Sequence, residues 1–214
     1  MVSIEWLGHA GFMIKTQGNV IYLDPHEGEY DLAADLIIIT HSHSDHCNTD
    51  KIQNIQRKDT LIIAPQDCAT KIGAEVISLK PGEETTTQGI NITALEAYNV
   101  KRFRAPGVPF HPKGLGVGYI LSVEGKTIYH AGDTDFIEEM KELRDQNITL
   151  ALLPSGGTYT MDNVDAIDAT LAINPQKVFP MHRWDTDPQE FKNAIEAKSE
   201  IQVLSMTPNQ QMSL

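Results

Sequence analysis

Four residues able to bind a metal ion fall within six positions, in the run His41-Ser42-His43-Ser44-Asp45-His46. In an extended segment alternate side chains point the same way, so His41 and His43 can address one ion. A turn after them lets Asp45 and His46 face a second ion beside the first. Imidazole and carboxylate ligands suit zinc, and also manganese or iron, whereas calcium draws on oxygen ligands alone. A divalent cation held in this way lowers the pKa of its bound water from about 15.7 toward about 7, which supplies a nucleophile without a serine or cysteine. The chemistry expected is hydrolysis at a carbonyl or phosphoryl centre, with Asp45 as the catalytic residue that orients the water or shuttles its proton. A polar surface loop that happens to contain histidines is the alternative, and the position of the run directly after an apolar strand counts against it.

That strand, residues 36–39, is a continuous apolar run of the kind buried on both faces. Two other apolar strands end in candidate ligands: 126–131 leads into Gly132-Asp133-Thr134, and 177–180 into Met181-His182. If these strands lie parallel, Asp133 and His182 arrive at the edge that holds the His41 loop, where Asp133 can bridge two cations and Gly132 permits a tight exit. A helix cap at Asp133 and a surface His182 are the competing readings.

The remaining elements supply the frame. Short strands are expected at 3–7, 11–15 and 20–23, forming a β-meander closed by Asp24-Pro25. A helix from Thr49 turns Ile52 and Ile55 inward, and a second strand and helix follow at 61–64 and 67–72. Strands dominate 75–95, 117–123 and 126–131. The last third alternates a helix near 135–143, strand 150–153, helix 162–173, strand 177–180 and a final helix. Asp187 caps that helix, Pro188 opens it and Glu190 completes a capping-box spacing. The pattern predicts an α/β (α+β) fold in which two mixed sheets pack together with helices on the outer faces.

Composition narrows the class. The chain has 214 residues, 41% of them apolar, with 17 Lys and Arg against 29 Asp and Glu for a net charge of -12. This fits one domain over 1–214 with a sizeable core, and it excludes disordered and collagen-like chains. No apolar run approaches the ~18 residues of a membrane span, so no membrane partner is expected. The N-terminus enters an alternating strand without a basic region or a long apolar one, which predicts no signal peptide and a cytoplasmic location. Cys47 and Cys68 are read as reduced thiols. The acidic balance argues against nonspecific nucleic-acid binding. A homo-oligomer is compatible with the composition, which does not define one.

The His41–His46 run as H-x-H-x-D-H resembles the metallo-β-lactamase superfamily when taken with five further motifs. These are Trp6-Leu7-Gly8-His9-Ala10-Gly11-Phe12, Asp24-Pro25, Ala131-Gly132-Asp133-Thr134, Gly156-Gly157-Thr158-Tyr159-Thr160-Met161 and Pro180-Met181-His182. The likeness is to small metal-dependent hydrolases that include ascorbate-6-phosphate lactonase-like proteins, and it runs from Trp6 to His182. It implies an αββα sandwich of four layers and two divalent metal ions per chain, zinc first, manganese or iron otherwise. His41 and His43 would bind metal one, Asp45, His46 and His182 metal two, and Asp133 would bridge. His43 favours a hydrolase, because the di-iron oxidoreductase branch resembles a pattern with glutamate at that position. The superfamily's third histidine at metal one is missing, and Asn99 stands at its place. Asn99 coordinates through its carbonyl, or His111 folds back as a substitute, or the first site is half-empty.

Other residues carry weaker signals. His9, His26 and Asp24 suit roles behind the ligands or in the core, His130 reads as structural from strand parity, and Cys47 as a small buried or loop thiol. Between Ala97 and Val123 there is no Asp or Glu, while Lys101, Arg102, Arg104 and Lys113 occur. Arg102, Arg104 and Lys113 are therefore candidate grips for a small anionic substrate, with Tyr159, Tyr98 and Thr158 as further pocket groups. The leading expectation is hydrolysis of a small anionic ester or lactone, with or without a phosphate. A phosphodiesterase or ribonuclease of the same superfamily and a non-catalytic metal-binding or regulatory protein are the alternatives.

Overall fold

The computed structural model of the chain describes residues 1–184 and 186–214. The N-terminal alternation folds as β1 (Ser3–Gly8), β2 (Gly11–Lys15) and β3 (Val20–Leu23), an antiparallel meander. The apolar run beyond it is β4 (Leu36–Ile38), parallel to β3 and buried throughout. α1 (Thr49–Ile55) starts where the Asn48 side chain accepts the Lys51 N–H, and its apolar spacing buries Ile52 and Ile55. β5 (Leu61–Ile63) and α2 (Gln66–Ile72) repeat the unit. There follow β6 (Glu84–Thr87), β7 (Ile90–Ala97), a hairpin of β8 (Phe103–Ala105) and β9 (Val108–Pro109), then β10 (Gly116–Val123) and β11 (Lys126–His130). The chain closes with β12 (Leu150–Pro154), α3 (Asn163–Ile173), β13 (Lys177–Met181), α4 (Pro188–Glu196), β14 (Gln202–Val203) and β15 (Gln210–Ser213).

The strands form two mixed sheets, ordered β15-β1-β2-β3-β4-β5 and β14-β13-β12-β11-β10-β7-β6. Three apolar layers hold the four structural ones together. Between the sheets, Ile4, Phe12, Leu36 and Ile38 meet Tyr119, Leu121, Leu152 and Phe179. Phe12 and Phe179 pack edge to face with centroids 5.7 Å apart, and burying each such ring contributes roughly 1.5–3 kcal/mol. Outside the first sheet, Tyr22, Ile37 and Ile39 lie against Ile52, Ile55 and Ile72. Outside the second, Tyr129, Ala151 and Leu153 lie against Ala166, Ala169 and Phe191. This is the αββα sandwich expected. It also explains why residues 36–39 contain no polar side chain: Leu36 and Ile38 face the other sheet, and Ile37 faces the helices.

Three elements differ from expectation. The helix near 135–143 is a 3-10 segment, Glu138–Gln146, whose few apolar residues, Met140 and Leu143, reach the core. The strands expected over 75–95 begin only at Glu84. β15 has a polar sequence without an apolar signature, yet it pairs antiparallel with β1 through backbone bonds. Among the described residues no helix is long and apolar enough to cross a membrane.

The topology fixes one edge. β3, β4 and β5 run parallel in the first sheet, and β11 to β14 run parallel in the second. The chain therefore leaves β4, β11 and β13 at a common rim, carrying the His41 loop, Asp133 and His182 there. Close backbone approach is part of the design: a Cβ on Gly156 would lie 2.4 Å from the His182 carbonyl oxygen. We expect Gly156→Ala to lower stability by about 1–3 kcal/mol in thermal denaturation, because a backbone atom must move. Gly18→Ala, with open space around it and an ordinary backbone angle, should leave the melting temperature unchanged.

Candidate metal centre

Asp24 anchors the site from behind. It follows β3 with φ +41° and is fully buried. Its carboxylate accepts the Thr40 N–H at 2.7 Å, the Thr40 hydroxyl at 2.7 Å and the His46 Nδ1–H at 2.7 Å. Because Thr40 gives its proton to Asp24, its oxygen is left to accept from His41 Nδ1, 3.0 Å away. Both rings are thereby held at Nδ1, and each turns Nε2 toward the cleft.

Asn99 does the same for His111. Its Oδ1 accepts the His111 backbone N–H at 2.7 Å and Nδ1–H at 3.0 Å, while its Nδ2 donates to the Tyr159 carbonyl at 3.0 Å. With Oδ1 already accepting two hydrogen bonds, Asn99 presents no free carbonyl to an ion. His111 Nε2 stands 3.2 Å from His43 Nδ1, and His41 Nε2 stands 3.0 Å from the same atom. His41, His43 and His111 thus form one group of donors.

The second group is His9, Asp45, His46 and His182. His9, in the β1–β2 turn, and His182, after β13, both have left-handed backbones, with φ +48° and +49°. The His182 N–H donates to the His9 carbonyl at 3.1 Å, joining the two sheets at this rim. His9 Nε2 lies 3.2 Å from Asp45 Oδ2. Asp133 sits between the groups, its Oδ2 3.2 Å from both His111 Nε2 and His182 Nε2, and its Oδ1 3.3 Å from His46 Nε2.

These atoms fit a cation better than they fit each other. His46 Nε2, both His182 ring nitrogens and Asp133 Oδ1 are buried without a hydrogen-bond partner. Such atoms cost free energy unless something satisfies them. Burial, reinforced by His46, pushes His41 well below the ordinary histidine range, and burial with His111 lowers His43, so both keep lone pairs. Burial alone would also lower His46, but Asp133 and Asp24 outweigh it and hold that ring well above its usual value. Likewise burial would raise the Asp133 carboxyl, and His182 and His46 hold it well below the carboxylate range. Asp45 is kept ionised against burial by its bond with His9 and the nearby His46. Neutral His41 and His43 beside the buried carboxylate of Asp133 contribute to a nitrogen and oxygen donor set of the kind that takes a divalent transition metal.

The cleft over these groups has a volume of about 160 Å³ and is lined by His43, Asp45, Phe110, His111, Asp133, Tyr159 and His182. Two of the expected substrate grips, Arg102 and Lys113, are engaged with carboxylates of the chain itself. Arg102 is held by Asp162 at 2.8 Å, Asp135 at 3.1 Å and Asp165, so its guanidinium is already fully paired. Lys113 bonds Glu96 and Glu139, each at 3.1 Å. Arg104 is exposed and donates to the Phe110 carbonyl at 3.0 Å, and Tyr159 lies in the cleft wall. His130 is buried against the Ala10 carbonyl, and Cys47 and Cys68 are buried thiols. His9, read in the sequence as standing behind the ligands or in the core, lies between Gly8 and Gly11 in a turn and joins the second group of donors. Phe110 and Trp184 were not singled out in the sequence, although Phe110 precedes His111 directly and Trp184 follows His182 by two residues.

A family model described as a beta-lactamase superfamily domain matches residues 3–182. A UPF0173 metal-dependent hydrolase of Pelotomaculum thermopropionicum is 31% identical over 100% of both chains, and one from Thermococcus kodakarensis is 34% identical over 100% of both. Among solved structures, a candidate metal-dependent hydrolase of Parabacteroides distasonis superposes with a TM-score of 0.87 at 35% identity, covering 95% of this chain and 91% of that one. Igni18, a metallo hydrolase of Ignicoccus hospitalis, gives 0.82 at 28% identity, covering 99% and 97%. With its donor residues gathered at one rim of an αββα sandwich, the chain belongs to the beta-lactamase superfamily as a metal-dependent hydrolase of the UPF0173 group.

Proposed function

We propose that this cleft hydrolyses a small ester or lactone with about two divalent ions per chain, zinc in the first instance. The observation that carries the reading is the convergence of His41, His43, His111, Asp45, His46, His182 and Asp133, with buried atoms left unsatisfied at their centre. His41, His43 and His111 would hold one ion, Asp45, His46 and His182 the other, and Asp133 would touch both. Bound there, the ions supply Lewis acidity and a lowered pKa for a coordinated water.

The chain's own residues do the rest. Asp45 is the most exposed of the acidic donors and is ionised, so Oδ2 can receive a proton from an attacking water while His9 steadies it. Asp24 and Asn99 hold His46 and His111 in the tautomers that keep Nε2 available. With Arg102 and Lys113 paired elsewhere, no lysine or arginine lines the cleft among the described residues. The lining thus lacks the cationic side chains that clamp a phosphoryl group, which favours a carbonyl substrate over a phosphodiester.

Metal-loaded protein is expected to hydrolyse nitrophenyl esters or simple lactones in a chromogenic or pH-stat assay. Chelation should abolish the activity and metal should restore it, and His43→Ala should reduce it by at least about 100-fold. Hydrolysis unaffected by chelator would overturn the proposal. Asp45→Asn should lower kcat by roughly 100- to 10,000-fold. Asn99→Ala should weaken metal affinity about 10- to 100-fold in competition with a chromophoric chelator, with the circular dichroism spectrum unchanged.

A further inference from the structure

Nine large hydrophobic side chains are exposed among the described residues, and two of them, Tyr159 and Trp184, stand at the metal cleft, Tyr159 in its lining and Trp184 against the His182 and His9 rings. Exposed apolar surface concentrated at one place marks a binding surface more often than scattered residues do. Here the aromatic rings form a connected wall. Phe110 and Tyr159 meet edge to face with centroids 4.8 Å apart, and Tyr159 and Trp184 lie 6.2 Å apart. The wall begins beside His111 in the chain and ends where Trp184 stands 5.8 Å from the His182 ring and 5.5 Å from the His9 ring. It therefore spans both donor groups. Arg104 is drawn across the Phe110 face at 5.6 Å.

We propose that this wall is a subsite for an apolar acyl or aryl group, so that the substrate is an ester or lactone with a hydrophobic body rather than a compact, highly charged one. The inference rests on the hydrolase reading of the same cleft for the word substrate, but the subsite itself can be tested without catalysis. A cleft of about 160 Å³ holds the reacting carbonyl and a few atoms beyond it, so a longer group must leave across the rings. Phe110, Tyr159 and Trp184 lie where that group would emerge.

The chain has two tryptophans, Trp6 buried at 8% exposure and Trp184 at 53%, so ligand on the wall should be read mainly by Trp184. Metal-loaded protein would be titrated with acetate, butyrate, hexanoate and octanoate while tryptophan emission is followed. Affinity should rise about fourfold per added methylene, with a blue shift that disappears in Trp184→Phe. Tyr159→Ala should flatten the gradient without changing metal content. Equal affinity along the series, or emission that follows protein concentration instead of ligand, as a second copy on the wall would produce, overturns the proposal. Acetyl and hexanoyl nitrophenyl esters separate the two readings. A gradient without hydrolysis of either ester supports the subsite and removes the hydrolase. Equal kcat/KM for both esters with a flat gradient removes the subsite and leaves the hydrolase.

Discussion

A buried cleft in which His41, His43, His46, His111, His182, Asp45 and Asp133 turn donor atoms toward one another needs positive charge among them, and much of the surrounding structure serves that requirement. His41 and His111 give their Nδ1 protons to Thr40 and Asn99, so both turn bare Nε2 atoms toward His43 Nδ1 at 3.0 to 3.2 Å, where a single proton can satisfy only one of them and a cation can satisfy all three. The commitments are built into the fold. Asp24 takes protons from Thr40 and His46, Thr40 accepts from His41, and Asn99 accepts from His111. These outer partners decide which nitrogen each ring offers, and so govern the centre as much as the inner donors do.

The frame follows from the same need. Donors from distant parts of the chain can meet only where strand ends of both sheets share a rim, which the parallel runs β3–β5 and β11–β14 provide. Left-handed backbones at His9, Asp24 and His182 are the local cost of turning sharply there. The close packing of Gly116 against His41 and of Gly156 against the His182 carbonyl leaves these loops little room to move.

The sandwich and the clustering of candidate donors in the H-x-H-x-D-H loop were legible in the sequence because both are local patterns: buried strands read as apolar runs, and four donors lie in one loop. What depended on contacts between distant segments was not. Arg102 looked free in a stretch without acids, yet its carboxylate partners lie 33 to 63 residues onward. Asn99 looked like a defective ligand, and only the fold of the 99–111 segment shows its amide serving His111. The 3-10 form of the Glu138–Gln146 segment and the polar strand β15 were not legible for a related reason, since backbone bonding and a few anchoring residues define them rather than periodicity.

The claim on which the rest turns is that these donors hold metal at two adjoining positions. Elemental analysis of protein purified without chelators, and again after reconstitution with zinc, manganese or iron, tests it most directly. The account predicts about two divalent ions per chain. A content of one ion or fewer after reconstitution would contradict it.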